Sequence, residues 1–293
     1  MVAESLAKQY ENNVWGARDI SFTAGYGEVT VLLGPNGAGK TTTIKMLTTI
    51  IRPTRGRGFV AGYDIYRDWR KIRRNIALMP QNSDPDPNWT PYEAVKWYLV
   101  TRGFSISDAG REARHWLEEL GLWDQRNRSL WGLSGGQGRR VLAAMVLASG
   151  AQIVFLDEPS SGLDVEAKYK IWGSIRRACR YGRAIIYTTH EMREAEILAD
   201  KVVIISNGVV RAIGDPRKLV ETLPYRYKIL VRDGGEAPNP VAKARVGDVL
   251  IAYYANRSDA LSAIEASSAD RISIEPVSLE DAYLYYIGVV GSD

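Results

Sequence analysis

Four short apolar runs punctuate the first two thirds of the chain: Val29–Leu33, Ile76–Met79, Ile153–Leu156 and Ala184–Thr188. Each lacks the apolar–polar alternation of a half-exposed strand, which predicts strands buried on both faces of a parallel sheet. Segments with helical character follow them: Thr43–Leu47, residues 165–181 and Met192–Ala199. Strand–helix alternation of this kind predicts an α/β fold. Ahead of the first run, Leu6–Tyr10 and Ala17–Phe22 read as strands separated by turns at Asn12-Asn13 and Gly25-Tyr26-Gly27, an N-terminal antiparallel β part. Arg52–Gly58 reads as a loop and Phe59–Ala61 as the start of a further strand, while basic Tyr66–Arg74 reads as a solvated helix face.

Residues 82–90, rich in Pro, Asn and Asp, form a long loop, followed by helices over about 91–100 and 107–120. In the second helix Ala113, Trp116, Leu117 and Leu120 share a face, and His115 reads as surface or packing. These helices interrupt the alternation as an inserted helical subdomain of about residues 82–132. Asn207-Gly208 between two apolar runs signals a hairpin. Beyond residue 222, strands at Tyr225–Val231, Asp248–Tyr254 and Arg271–Glu275, helices at 258–267 and 278–287, and a loose Gly234–Pro240 linker predict a small α+β domain over 223–293 after a main domain over 1–222.

Composition narrows the picture only slightly. Over 293 residues, 45% hydrophobic and 25% charged residues are those of a globular protein with a sizeable core. A net charge of +4 is too mild to demand nucleic acid or an anionic surface. One cysteine, Cys179, excludes an internal disulfide. The start lacks a basic segment leading into an apolar core, so no secretory signal is expected. Val141–Leu156 is too short and broken for a membrane span, so a soluble chain reaching any membrane through a partner is expected.

The chemistry sits where the apolar runs end. Gly34, Pro35, Asn36, Gly37, Ala38, Gly39, Lys40, Thr41 and Thr42 follow a strand and open a helix. That context makes a phosphate-binding loop, with backbone N–H groups as an anion nest and the helix N-terminus behind it. Lys40 then reaches the outer phosphates of a nucleoside triphosphate and the Thr41 hydroxyl ligates Mg²⁺. Tyr10, or its rival Trp15, supplies an aromatic face for a base. Asp157 and Glu158 close the third apolar run: the first holds Mg²⁺, the second polarises the attacking water. Gln81 coordinates Mg²⁺ or that water, and His190 donates to the γ-phosphate and orients Glu158. Ligands of parallel α/β sheets bind at such strand ends, so these groups are expected to converge. Leu133-Ser134-Gly135-Gly136-Gln137 is a second glycine-bearing turn, read as preceding a helix opened by Arg139 and Arg140, and a second anion site.

With these motifs in this order, and Ser161-Gly-Leu-Asp164 between the acidic pair and His190, residues of about 4–220 resemble the nucleotide-binding ATPase subunit of an ABC transporter. The Leu-Ser-Gly-Gly-Gln signature distinguishes that family from other P-loop proteins. The resemblance implies an ABC ATPase core using ATP and Mg²⁺, with Gly34–Thr42 as Walker A and Tyr10 stacking on adenine. It makes Gln81 the Q-loop glutamine and the segment after it the contact to a membrane permease. Asp157 and Glu158 become the Walker B aspartate and catalytic base, Asp164 the D-loop aspartate and His190 the switch histidine. Ser134 and Gly136, with Gly135 and Gln137 of the same signature, face ATP bound to a second ABC ATPase chain in a head-to-tail homo- or heterodimer. Each motif occurs once, so a second chain is expected.

Two features depart from the family pattern. Gly138-Arg139-Arg140 replaces a basic–Gln–basic run, which bears on the helix start and not on the phosphate contact. The Tyr10–Phe22 stretch is about one residue longer than the family pattern, which leaves adenine stacking between Tyr10 and Trp15. The tail Val277–Leu284 is similar to that of ABC type-2 exporter ATPases, so an exporter motor at the cytoplasmic face of the membrane, without nucleic acid, is the leading expectation. A soluble ABC ATPase in cofactor assembly is the alternative.

Overall fold

The computed structural model describes residues 1–232, 236–267 and 272–290. Gly234 and Gly235 of the expected linker, Arg271 of the expected last strand, and residues 233, 268–270 and 291–293 of the expected C-terminal domain lie outside them. The chain packs as two units, Met1–Val210 and Arg211–Asp293. The division precedes the expected one at 222/223 because Pro216–Glu221 packs on the helix Leu279–Tyr286.

The first unit opens with β1 (Val2–Gln9), β2 (Trp15–Thr23) and β3 (Val29–Leu33). Helix α1 (Lys40–Leu47), β4 (Arg55–Val60), β5 (Tyr63–Asp64), α2 (Trp69–Asn75) and β6 (Ile76–Met79) follow. The inserted helices are α3 (Pro91–Thr101) and α4 (Ile106–Glu119), and α5 (Gly135–Ala148) packs against both. Then come β7 (Ile153–Asp157), α6 (Val165–Arg180), β8 (Ala184–Thr189), α7 (Met192–Leu198) and β9 (Lys201–Ser206), and β10 (Val209–Gly214) runs across the boundary at Val210. The strands form one sheet in the order β5-β4-β1-β2-β10-β9-β3-β8-β7-β6.

Its two halves follow from side-chain pattern. Every residue of β3, β7 and β8 is buried, as parallel strands covered on both faces require. β1 and β2, with exposed and buried residues mixed, pair antiparallel. β4 starts within Arg52–Gly58, where a loop was expected, because antiparallel pairing with β1 overrides the low strand propensity of its two glycines. Asn207 and Gly208 both have positive φ, as a tight hairpin turn between β9 and β10 demands.

Register decides what the sheet can do. Leu33 pairs with Thr189, Asp157 with Thr188, and Met79 with Leu156. The residues that leave these strands, Gly34, His190, Glu158 and Gln81, therefore emerge at one level of the sheet.

The second unit adds α8 (Pro216–Glu221), β11 (Tyr227–Val231), β12 (Ala242–Val246), β13 (Val249–Tyr254), α9 (Arg257–Ala266), β14 (Ile272–Pro276) and α10 (Leu279–Tyr286). Its antiparallel sheet runs β12-β13-β11-β14, and β12, an edge strand with one buried residue, had no apolar signal in the sequence. Ile229, Val231, Leu250, Ala252 and Tyr254 pack with Ala260 and Ala263 of α9. The paired neighbours Lys228 and Tyr253 turn to the opposite face and meet buried Asp281 of α10.

Candidate functional site

The phosphate loop is shaped by two glycines that no other residue can replace. Gly39 sits at φ +108, and a Cβ there would lie 2.6 Å from the Gly16 carbonyl of β2. A Cβ on Gly34 would lie 2.2 Å from the Ile205 carbonyl of β9. The loop is thus clamped between strands, and the hairpin turn adds a bond from Gly208 N–H to the Ala38 carbonyl. Gly39 caps α1 without a side chain, which leaves the first N–H groups of the helix to a ligand.

Lys40, the first residue of α1, is 4% exposed and donates to the carbonyls of Gly34 at 2.8 Å and Pro35 at 3.1 Å. Its ammonium faces Glu158 Oε1 at 3.3 Å. His190 Nδ1 approaches the same oxygen at 3.5 Å, while the Gln81 amide donates to Glu158 Oε2 at 3.2 Å. Three groups, one from the start of α1 and two from just past the ends of β6 and β8, thus surround one carboxylate. Its backbone is strained: Glu158 has φ +50, which costs a non-glycine residue of order 1–3 kcal/mol unless neighbours over-determine it. They do. Its N–H donates to Thr188 Oγ1 at 2.9 Å, and its carbonyl accepts from Arg139 Nη2 at 2.5 Å.

Thr41 donates to Asp157 Oδ1 at 3.2 Å and to Gln81 Oε1 at 3.5 Å, and Thr188 donates to Asp157 Oδ1 at 2.6 Å. Burial pushes the Asp157 carboxyl above its ordinary range, against the hydrogen bonds from Thr188 and Thr41 and with the adjacent Glu158 adding to the rise. Hydroxyl, amide and carboxylate oxygens from Thr41, Gln81 and Asp157 make a hard, all-oxygen donor set with a single carboxylate. That fits Mg²⁺, which takes one or two protein carboxylates and completes its shell with phosphate and water.

A cavity of about 430 Å³ opens over this group, lined by Tyr10, Val14, Trp15, residues 36–42, Gln81 and Glu158. Tyr10 and Trp15 both reach it. The Tyr10 hydroxyl lies 3.4 Å from Thr42 Oγ1, and Arg55 lies over the Trp15 ring at 5.9 Å.

Ser134, Gly135, Gly136, Gln137 and Asp164 do not line the cavity; they stand at helix starts, with Ser134, Gly135 and Asp164 exposed. The helix expected to open at Arg139 opens at Gly135. Ser134 Oγ accepts from Gln137 N–H and the Gln137 side chain accepts from Ser134 N–H, a reciprocal cap that starts the helix four residues earlier. Asp164 caps α6 by accepting from Ala167 N–H at 2.8 Å. His115 is exposed, edge-on to Trp116. Sequence reasoning passed over Thr188, which joins Asp157 to the Glu158 backbone; its only signal was a polar pair ending an apolar run.

Among the described residues no helix is long and apolar enough to cross a membrane. Residues 17–161 match the family model described as ABC transporter. The chain is 38% identical over 197 residues to the human phospholipid-transporting ATPase ABCA3, covering 67% of this chain and 12% of that protein. Similarity to ABC transporter A family member 7 of Dictyostelium discoideum is 34% over 232 residues, covering 79% of this chain and 28% of that one. The chain thus spans about an eighth of the length of the ABCA3 relatives it matches. Among solved structures it resembles an ATP-binding subunit of an ABC transporter, with a TM-score of 0.68, 26% identity, and coverage of 75% of this chain and 91% of that one. It shares the fold of the cassette MJ0796, solved as a post-hydrolysis dimer with ADP and Pi, with a TM-score of 0.67 at 23% identity and coverage of 73% and 97%.

Proposed function

We propose that this chain, which carries the ATP-binding domain of the ABC transporter family, hydrolyses ATP and pairs with a second such domain to drive a membrane permease, as an exporter motor at the cytoplasmic face. The observation that carries this reading is the ring of Lys40, Gln81 and His190 around Glu158 at the mouth of the phosphate-loop cavity.

In the proposed reaction Lys40 and the N–H groups of Gly37 to Thr42 hold the phosphate chain, and Tyr10 offers its ring to adenine. Thr41, Gln81 and Asp157 would hold Mg²⁺, which when bound would supply positive charge against the phosphate oxygens. Water attacks the γ-phosphorus as Glu158 takes its proton, and the bond to the ADP oxygen breaks to give ADP and phosphate. Gln81 and His190 aim the Glu158 carboxylate by contacts of 3.2 and 3.5 Å.

Ser134, Gly135, Gly136, Gln137 and Asp164 serve the nucleotide of the second domain in this reading. The exposure of Ser134, Gly135 and Asp164 away from the cavity supports it, as do Trp131 at 82% and Val165 at 71% exposure beside them. Apolar side chains left in water next to functional turns mark a surface that another protein covers. The loop after Gln81 is the proposed contact to the permease. Since the ABCA3 relatives are phospholipid-transporting ATPases, a lipid is the cargo class to test first.

Glu158→Gln keeps the side chain's shape and removes the base. ATP turnover is expected to fall at least a hundredfold, with ATP-induced dimers accumulating on size-exclusion chromatography. Turnover at the wild-type rate would remove Glu158 as the base. Recovery from native membranes without a multi-span partner would remove the transport reading.

A further inference from the structure

Arg139, which takes the place of the glutamine in the family's usual run, stands five residues past Ser134 on the second turn of α5. Its guanidinium forks. Nη1 donates to the Gln81 carbonyl at 2.8 Å and Nη2 to the Glu158 carbonyl at 2.5 Å. Its buried Nε has no hydrogen-bond partner, so the planar head is committed to those two carbonyls. The signature turn leans on the same loops by packing: a Cβ on Gly136 would lie 3.1 Å from Leu163, and one on Gly138 would lie 3.9 Å from Pro85.

We propose that Arg139 is a positioning residue for ATP hydrolysis. By bridging two backbone carbonyls it holds the Gln81 and Glu158 side chains opposite one another and ties both to the signature turn of their own chain. The role rests on Glu158 being the catalytic base. Thr188 fixes the N–H of the strained Glu158 peptide, while its carbonyl is held by Arg139 and by a longer, 3.3 Å bond from Ser161 N–H. Without the guanidinium the left-handed conformation of Glu158 loses its shortest restraint on the carbonyl side. A planar fork can reach two carbonyls at once; an ammonium is a single point of attachment. Arg139 therefore sets the rate of hydrolysis, not the affinity for nucleotide, because its own side chain does not line the cavity and holds only the backbone of two residues that do.

The test compares the wild-type chain with Arg139→Met and Arg139→Lys by steady-state ATPase kinetics, nucleotide affinity and hydrogen exchange read by mass spectrometry. Arg139→Met is expected to lower kcat by about tenfold to a hundredfold, the cost of a catalytic group displaced by around an ångström, with KM and Kd for ATP changed less than about threefold. Exchange at residues 79–83 and 157–162 is expected to quicken in the nucleotide-free variant while β3 and β9 stay protected. Arg139→Lys recovers part of kcat. Unchanged exchange at either segment, or kcat within about twofold of wild type, overturns the proposal. So does a parallel loss of kcat, ATP affinity and protection across the whole unit, which would make Arg139 ordinary packing. If the wild-type chain does not hydrolyse ATP, the ATPase reading fails, and the exchange measurement still decides whether Arg139 holds the two loops.

Discussion

Glu194 gives the sharpest stability test of the first unit. This α7 carboxylate is 1% exposed, yet it accepts hydrogen bonds from Ser160 Oγ at 2.5 Å, Tyr187 OH at 2.9 Å and Thr189 Oγ1 at 2.7 Å. Lys168 of α6 lies 3.4 Å from it. Glu194→Ala does not orphan every partner. Ser160 and Tyr187 keep each other at 2.7 Å, and Lys168 keeps Glu191 at 2.6 Å. What remains is one hydroxyl hydrogen of the Ser160–Tyr187 pair and that of Thr189, both buried without an acceptor. At about 1–3 kcal/mol for each of the two unsatisfied groups, the loss is about 2–6 kcal/mol. Glu194→Gln retains a carbonyl acceptor and only weakens charge-assisted bonds, a loss of about 1–2 kcal/mol. All eight tryptophans lie between Trp15 and Trp172, so urea unfolding followed by tryptophan fluorescence reads the first unit alone. An alanine variant within about 0.5 kcal/mol of wild type, or a glutamine variant as weak as alanine, would refute the network as a source of stability.

Asp157 carries a cost at neutral pH. Its folded-state pKa lies above the ordinary 3.8, so its destabilising contribution is fully present above the raised value and vanishes below the unfolded one. Asp157→Asn is therefore expected to raise the urea midpoint of the Mg²⁺-free chain at pH 7, by a margin that shrinks as pH falls towards 4, while ATP turnover stops. In the second unit, Lys228 Nζ sits 2.9 Å from Asp281 in a pair joined by the Tyr253 hydroxyl, whose own pKa burial drives up. Lys228→Met leaves that carboxylate buried without its cation and is expected to cost about 3 kcal/mol, read as about a hundredfold faster hydrogen exchange at β11 and β13.

How much of this was legible in the sequence depended on the range of the interactions. The buried strands were visible because burial on both faces leaves an uninterrupted apolar run. The phosphate loop was visible because its glycines, Lys40 and Thr41 are neighbours in the chain. Loss of local signal explains the misses. β4 opens on Arg55-Gly56-Arg57-Gly58, a stretch that reads as a turn until β1 pairs with it. The signature helix starts at Gly135 because Ser134 and Gln137 cap it reciprocally, a contact that outweighs two glycines. β12 carries Lys243 and Arg245 on a sheet edge, where one buried residue suffices.

The sequence by itself determined the parts: a phosphate loop, an acidic strand end, a signature turn and the polar tips Gln81 and His190. These are local facts, set by residue type and spacing within a few positions. Tertiary structure alone decided that the tips meet. Pairing of Leu33 with Thr189, Asp157 with Thr188 and Met79 with Leu156 brings four strand ends to one level, and a one-residue slip in any pair would turn its side chains to the other face. It also decided that Arg139 spans 58 positions to Gln81 and 19 to Glu158, and that Glu194 collects three hydroxyls. No spacing rule predicts such contacts, because they form only after the core has packed and each buried polar group must find its partner there.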